Sequence, residues 1–235
     1  MIGTPAGYIR PGAYITRAEA ATIFFRLLSD EERADYWQQT NPFTDVALRN
    51  WFNNAVSTTA NGGMITGYPN GTFAPDQFIT RAEMTAAVVR FMGMAEGPPP
   101  ESHFNDISGH WAQGYISMAA TNGWVTGPRG LSGSFYPDRH ITRAETAAIV
   151  NRIFGRLVER QEDLLSDMLT WPDNADASAW YYLYIQVATN SYTFERRGAN
   201  DEFERWLTII PARDWTVLEK PESRPWEILF RLKTG

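Results

Sequence analysis

Three arginines of this chain share one repeated setting. Arg17, Arg81 and Arg143 are each the middle residue of Ile-Thr-Arg-Ala-Glu, at residues 15–19, 79–83 and 141–145. The threonine and glutamate of each copy, Thr16 and Glu19, Thr80 and Glu83, Thr142 and Glu145, have the spacing of a capping box ahead of an apolar run. That spacing predicts a helix start, with the preceding isoleucine packed on the first turn. Nothing in capping asks for the arginine. At the first helical position it meets the positive end of the helix dipole, which costs about 0.3–1 kcal/mol for an unpaired cation. Two readings account for it. First-turn amides and a guanidinium fork together suit a carboxylate or phosphate, so an anionic ligand could hold it there. The alternative is an ion pair with an acid of a neighbouring repeat, such as Asp45, Asp106 or Asp173. Arg26, Arg90 and Arg152 follow nine residues later, near the helix end, where the dipole favours a cation and a structural role suffices.

The elements that must position these arginines repeat with a period of about 60 residues. Whole copies span residues 43–93 and 104–155, matching at Phe43/Phe104, Asp45/Asp106, Trp51/Trp111, Gly67/Gly127, Phe73/Phe135 and Pro75/Pro137. Residues 1–28 carry only the back half of the unit, with Gly3, Gly7 and Pro11 opposite Gly67, Gly71 and Pro75. Residues 171–192 carry a front half, with Trp171, Asp173 and Trp180 in place of Phe104, Asp106 and Trp111. The two halves complement each other, which predicts a unit over 1–192 that closes as three lobes where the half copies meet. Each copy reads as helix, glycine-rich turn, helix. Residues 29–42 and 156–169 read as short amphipathic helices, and 97–102 as a linker. In the extension, residues 193–235, the stretches 202–210 and 214–220 alternate as strands do and predict a small hairpin.

Composition removes several function classes. The chain has 235 residues, 43% of them hydrophobic, enough for a packed core, and a net charge of -6 that argues against nucleic acid or an anionic membrane surface as main partner. It contains no cysteine, so disulfides, thiolate metal sites and a cysteine nucleophile are excluded. No apolar run reaches membrane-spanning length and no leader precedes the first repeat, so an exported protein would require this chain to be a fragment. His103, His110 and His140 lack metal-ligand spacing and no catalytic constellation is present, so neither an enzyme, a metal nor a cofactor is expected. Trp51, Trp111 and Trp180 read first as core anchors; exposed beside the arginines, each would be a platform for a sugar face.

The order aromatic-x-Asp, Trp, Gly-Tyr-Pro-x-Gly-Thr-Phe-x-Pro and Ile-Thr-Arg-Ala-Glu closely resembles the S-layer homology domain of bacterial cell-surface proteins, over roughly residues 1–192. The resemblance implies a mainly α fold: a pseudo-threefold, three-lobed monomer of helix-loop-helix repeats around a central helix bundle, here with a C-terminal β-hairpin. It also implies non-covalent anchoring of a surface protein through secondary cell-wall polysaccharide, often pyruvylated, bound in grooves between repeats. By motif position the ligand contacts would be Arg17, Arg81 and Arg143, then Trp51, Trp111 and Trp180, Asp45, Asp106 and Asp173, and the loop glycines Gly3, Gly67 and Gly127. The chain departs from the family pattern in its split repeat and in the sequence Gly-Pro-Arg-Gly-Leu-Ser-Gly-Ser-Phe from Gly127, which replaces Gly-Tyr-Pro-Asn-Gly-Thr-Phe. A competing expectation is a protein-binding surface module whose glycan grooves have decayed.

Overall fold

The structure, a computed structural model, describes residues 3, 6–94, 104–127 and 133–220. It is mainly helical. Three eleven-residue helices, α1 (Arg17–Leu27), α4 (Arg81–Phe91) and α6 (Arg143–Ile153), each open with a complete capping box. Shorter helices α3 (Asn53–Asn61), α5 (Gln113–Thr121) and α7 (Tyr182–Thr189) begin just after Trp51, Trp111 and Trp180. The long helices bury alanine-rich faces, including Ala20 and Ala21, Ala86 and Ala87, and Ala147 and Ala148. Small side chains allow close approach, and each long helix packs on the short helix of the following copy, α1 on α3, α4 on α5 and α6 on α7.

A ring of backbone hydrogen bonds ties the three copies together. The Ile15 amide donates to the Ile141 carbonyl at 3.2 Å, Ile141 to Ile79 at 3.2 Å, and Ile79 to Ile15 at 3.0 Å. These isoleucines are buried, so the ring has no water to compete with it. Tyr14, Phe78 and His140 cover it as a triangle of rings with centroids 5.5–5.7 Å apart.

The two half copies, residues 1–28 and 171–192, are in contact. Asp173 accepts from the Ile9 and Arg10 amides at 3.1 and 2.7 Å. Asp45 does the same for Phe73 and Ala74, and Asp106 for Phe135 and Tyr136, each at 2.7–2.8 Å. The second residue of every pair is non-glycine with positive φ, Arg10 at 53°, Ala74 at 55° and Tyr136 at 58°. A left-handed L-residue is costly, and a carboxylate accepting two adjacent amides offsets that cost. Asp45→Ala is therefore expected to lower stability by about 1.5–3 kcal/mol, with Asp45→Asn in between because one acceptor remains; urea melts of the three proteins check this.

Two connections differ from the sequence reading. Residues 29–42 do contain a helix, α2 (Asp30–Tyr36), but 156–169 hold only a 3-10 turn, Gln161–Asp163. There the Leu157 carbonyl accepts from the Glu204 amide at 2.7 Å and Asp163 pairs with Arg197 and Arg205, so the chain is held against the sheet rather than coiled. The hairpin exists with a different partner strand: β1 (Tyr192–Arg196) pairs antiparallel with β2 (Glu204–Ile209). Residues expected to form the second strand instead contain a helical turn, α8 (Thr216–Glu219), just before which Asp214 accepts from the Thr216 amide and hydroxyl. The linker 97–102 and residues 221–235 lie outside the described residues.

Candidate functional site: grooves between repeats

The arginines of the pentapeptide are buried, Arg17 and Arg81 at 3% exposure and Arg143 at 8%. Arg17 donates through Nε to the Phe73 carbonyl at 2.7 Å, through Nη2 to the Thr66 carbonyl at 2.7 Å, and through Nη1 to Glu83 at 2.9 Å. Arg81 repeats the pattern on Phe135, Thr126 and Glu145 at 2.9, 2.9 and 3.4 Å. Arg143 donates to the Ile9 carbonyl at 2.7 Å and to Glu19 at 3.1 Å. Each capping glutamate thus divides its two oxygens. Oε2 caps its own helix, while Oε1 receives an arginine from another copy. Arg17 to Glu83, Arg81 to Glu145 and Arg143 to Glu19 form a closed relay, which explains why the pentapeptide repeats verbatim.

The expected pocket of open first-turn amides is not present. The amides of Arg17 and Ala18 donate to the carbonyls of Gln77 and Pro75, those of Arg81 and Ala82 to Arg139 and Pro137, and those of Arg143 and Ala144 to Ala13 and Pro11. The third amide goes to the capping threonine. The arginine is therefore held by the neighbouring copy, as the ion-pair reading required, with glutamate rather than aspartate as partner. The aspartates are committed to the loop amides. Burial pushes the Arg81 guanidinium down to about 10, with the Glu145 carboxylate pulling the other way.

The glycines and tryptophans are placed less as the residue types suggested. A Cβ on Gly67 would lie 2.3 Å from the Phe43 ring and 2.7 Å from the Thr72 carbonyl, and one on Gly3 2.1 Å from the Trp171 ring. At these two positions the glycine is demanded by the aromatic that opens the adjoining front half, Phe43 for Gly67 and Trp171 for Gly3. Trp51, Trp111 and Trp180 are not core anchors: they are 57%, 54% and 36% exposed. Their apolar work is done from the next positions, by Phe52, Ala112 and Tyr181, which pack inward.

Two grooves bring the predicted residues together. One, of ≈ 610 Å³, is lined by Arg17, Gly67, Tyr68, Glu83, Arg90 and Trp111. Another, of ≈ 80 Å³, is lined by Arg81, Gly127, Glu145, Arg152, Trp180 and Tyr184. Sequence reasoning left out Tyr68, Tyr115 and Tyr184 and gave Arg90 and Arg152 only a structural role. Arg90 stands over the Tyr115 ring at 4.7 Å and Arg152 over Tyr184 at 5.4 Å. Recurrence of tyrosine four residues after Trp111 and Trp180 was the available signal. Asp45, Asp106 and Asp173 sit behind the loops and shape them.

Tyr68 donates its hydroxyl to Glu83 at 2.6 Å, and burial together with that bond pushes its ionisation up to about 12. A raised phenol stabilises the fold below the ordinary value of 10, and this contribution is lost as pH rises through 12. In an alkaline absorbance titration, the difference between the parent and Tyr68→Phe should titrate near 12, not near 10.

A family model, the S-layer homology domain, matches residues 1–21, 42–85 and 103–147. Over these three segments the chain carries the S-layer homology domain. The matched segments hold all three pentapeptides, while the front half copy at 171–192 lies outside them. Among curated proteins, the chain is 38% identical over 164 residues to Cell surface glycoprotein 1 of Acetivibrio thermocellus, covering 66% of this chain and 7% of that one. It is 35% identical over 158 residues to the Cellulosome-anchoring protein of the same organism, covering 66% and 35%. With the Surface-layer 125 kDa protein of Lysinibacillus sphaericus it shares 32% over 153 residues, covering 64% and 12%. The chain therefore spans only a minor part of each relative. Among the described residues no helix is long and apolar enough to cross a membrane.

Proposed function

We propose that this S-layer homology module holds a surface protein non-covalently on the bacterial cell wall by seating an acidic secondary cell-wall polysaccharide in its inter-repeat grooves. The observation that carries this reading is the groove that the exposed Trp111 and Arg90 line together with Gly67 and Tyr68. An indole offers an apolar face to a sugar ring, and a guanidinium offers a fork to a carboxylate such as that of a pyruvate ketal. Relatives named as cell-surface, cellulosome-anchoring and surface-layer proteins support anchoring as the role. In this reading Arg17, Arg81 and Arg143 form the groove floor together with their glutamates, and Gly3, Gly67 and Gly127 its edge. Asp45, Asp106 and Asp173 keep the loops in shape. Trp111 and Trp180, which line the two grooves, meet the glycan, and the three lobes act as one monomer. The module does no chemistry on the polymer. Sacculi from a Gram-positive wall, intact and stripped of secondary polysaccharide, provide the test: the protein should sediment with the first and stay in solution with the second. Equal sedimentation with both would overturn the reading.

A further inference from the structure

The groove bordered by α1 and α3 differs from the other two. By repeat position Arg26 corresponds to Arg90 and Arg152, and Ala55 to Tyr115 and Tyr184. Where those tyrosines stand under their arginines, Ala55 leaves a gap, and α8 fills it: Leu218, 3% exposed, packs on Ala55 and Phe25. Asn54, fully buried, donates through Nδ2 to the carbonyls of Leu218 and Lys220 at 3.1 and 2.6 Å. The equivalents of Asn54 are Gly114 and Leu183, which have no such donor. Glu219 takes Arg26 with both oxygens, Nε on Oε1 and Nη2 on Oε2, the latter at 2.8 Å. Trp215 lies against Arg26, Arg33 and Arg213 at 5.8, 5.0 and 4.8 Å, and Asp30 pairs with Arg33 and Arg213 beside it. Among the described residues neither Arg90 nor Arg152 has a carboxylate partner.

We propose that α8 is a built-in occupant of this groove, with the Glu219 carboxylate seated on the arginine that, as Arg90 and Arg152 in the two open grooves, receives a carboxylate from outside. A bidentate carboxylate on Arg26 shows what that position accepts, and the exchange of tyrosine for alanine and of glycine or leucine for asparagine tailors one copy to the segment. The module then offers two grooves to ligand and keeps the third closed. The second half of this inference rests on the anchoring reading; the occupancy of the groove does not.

Amide exchange and binding are measured together on the full chain and on two variants, Leu218→Asp, which expels α8, and Ala55→Tyr, which refills its gap. Exchange at residues 216–220 should be slow in the parent and at least about tenfold faster in both variants, with α4 and α6 unchanged. The probe is the pyruvate ketal of N-acetylmannosamine. Leu218→Asp should saturate one molecule per chain higher than the parent, and Arg90→Gln should weaken uptake by the parent's open groove more than about tenfold. Fast exchange at 216–220 in the parent, or a parent that binds the probe and saturates at the same level as a variant whose α8 has been freed, overturns the built-in occupant. Uptake indifferent to Arg90→Gln overturns the carboxylate receptor. If neither parent nor variant takes up the probe while exchange shifts as described, α8 stands as occupant and the anchoring reading falls.

Discussion

Replacing Arg17 with alanine is expected to lower folding stability by about 3–5 kcal/mol, the range for removing one partner of a buried ion pair. The loss has three sources. Glu83 keeps only Tyr68 and its own capping bonds, the Phe73 and Thr66 carbonyls lose their donors, and the relay that joins the copies is cut at one link. Lysine should recover only part of the stability, because a single ammonium cannot reach two carbonyls and a carboxylate held by a planar fork. Glu83→Ala should cost more than the about 0.5–2 kcal/mol of a lost cap, since the same side chain also receives Arg17. Urea unfolding of Arg17→Ala, Arg17→Lys and Glu83→Ala reads all of these; an Arg17→Ala protein as stable as the parent would mean that the relay contributes nothing to the fold.

Trp111→Ala is expected to behave in the opposite way. Its side chain is more than half exposed, so stability should move by no more than about 0.5 kcal/mol, as for ordinary surface positions. Affinity for an acidic wall polysaccharide should fall by about 2 kcal/mol or more, the loss typical of an aromatic anchor at a binding surface. Trp51→Ala serves as the contrast, because α8 already packs in the groove beside α3, and its effect on binding should be small. Calorimetric titration with the purified polymer separates the two; equal losses at Trp51 and Trp111 would contradict the assignment of open and closed grooves.

The parts of this architecture written locally were legible in the sequence, and those set by distant partners were not. Thr-x-x-Glu ahead of an apolar run specifies a helix start within four residues, and α1, α4 and α6 begin there. The arginine partner could be named only as an acid. Asp45, Asp106 and Asp173 were equally available by charge, but their short side chains are used up on paired amides beside left-handed residues, which leaves the longer glutamate to span the gap between copies. A repeated tryptophan looks the same in a core as on a surface, and only the burial of its neighbours, such as Phe52, shows that Trp51 faces outward. Alternation in residues 214–220 suggested a strand. The Asp214 bonds to Thr216 and the burial of Leu218 against Ala55 turned it into a helical turn. That Glu219 meets Arg26, 193 residues away, has no signature in either segment alone.

The most direct test of the anchoring account is calorimetric titration of the full chain with one wall polysaccharide before and after mild acid removes its pyruvate ketals. Saturable binding to the intact polymer, weakened by added salt and lost after the ketals are removed, is the predicted result. Undiminished binding to the ketal-free polymer, or no binding to either form, would contradict it.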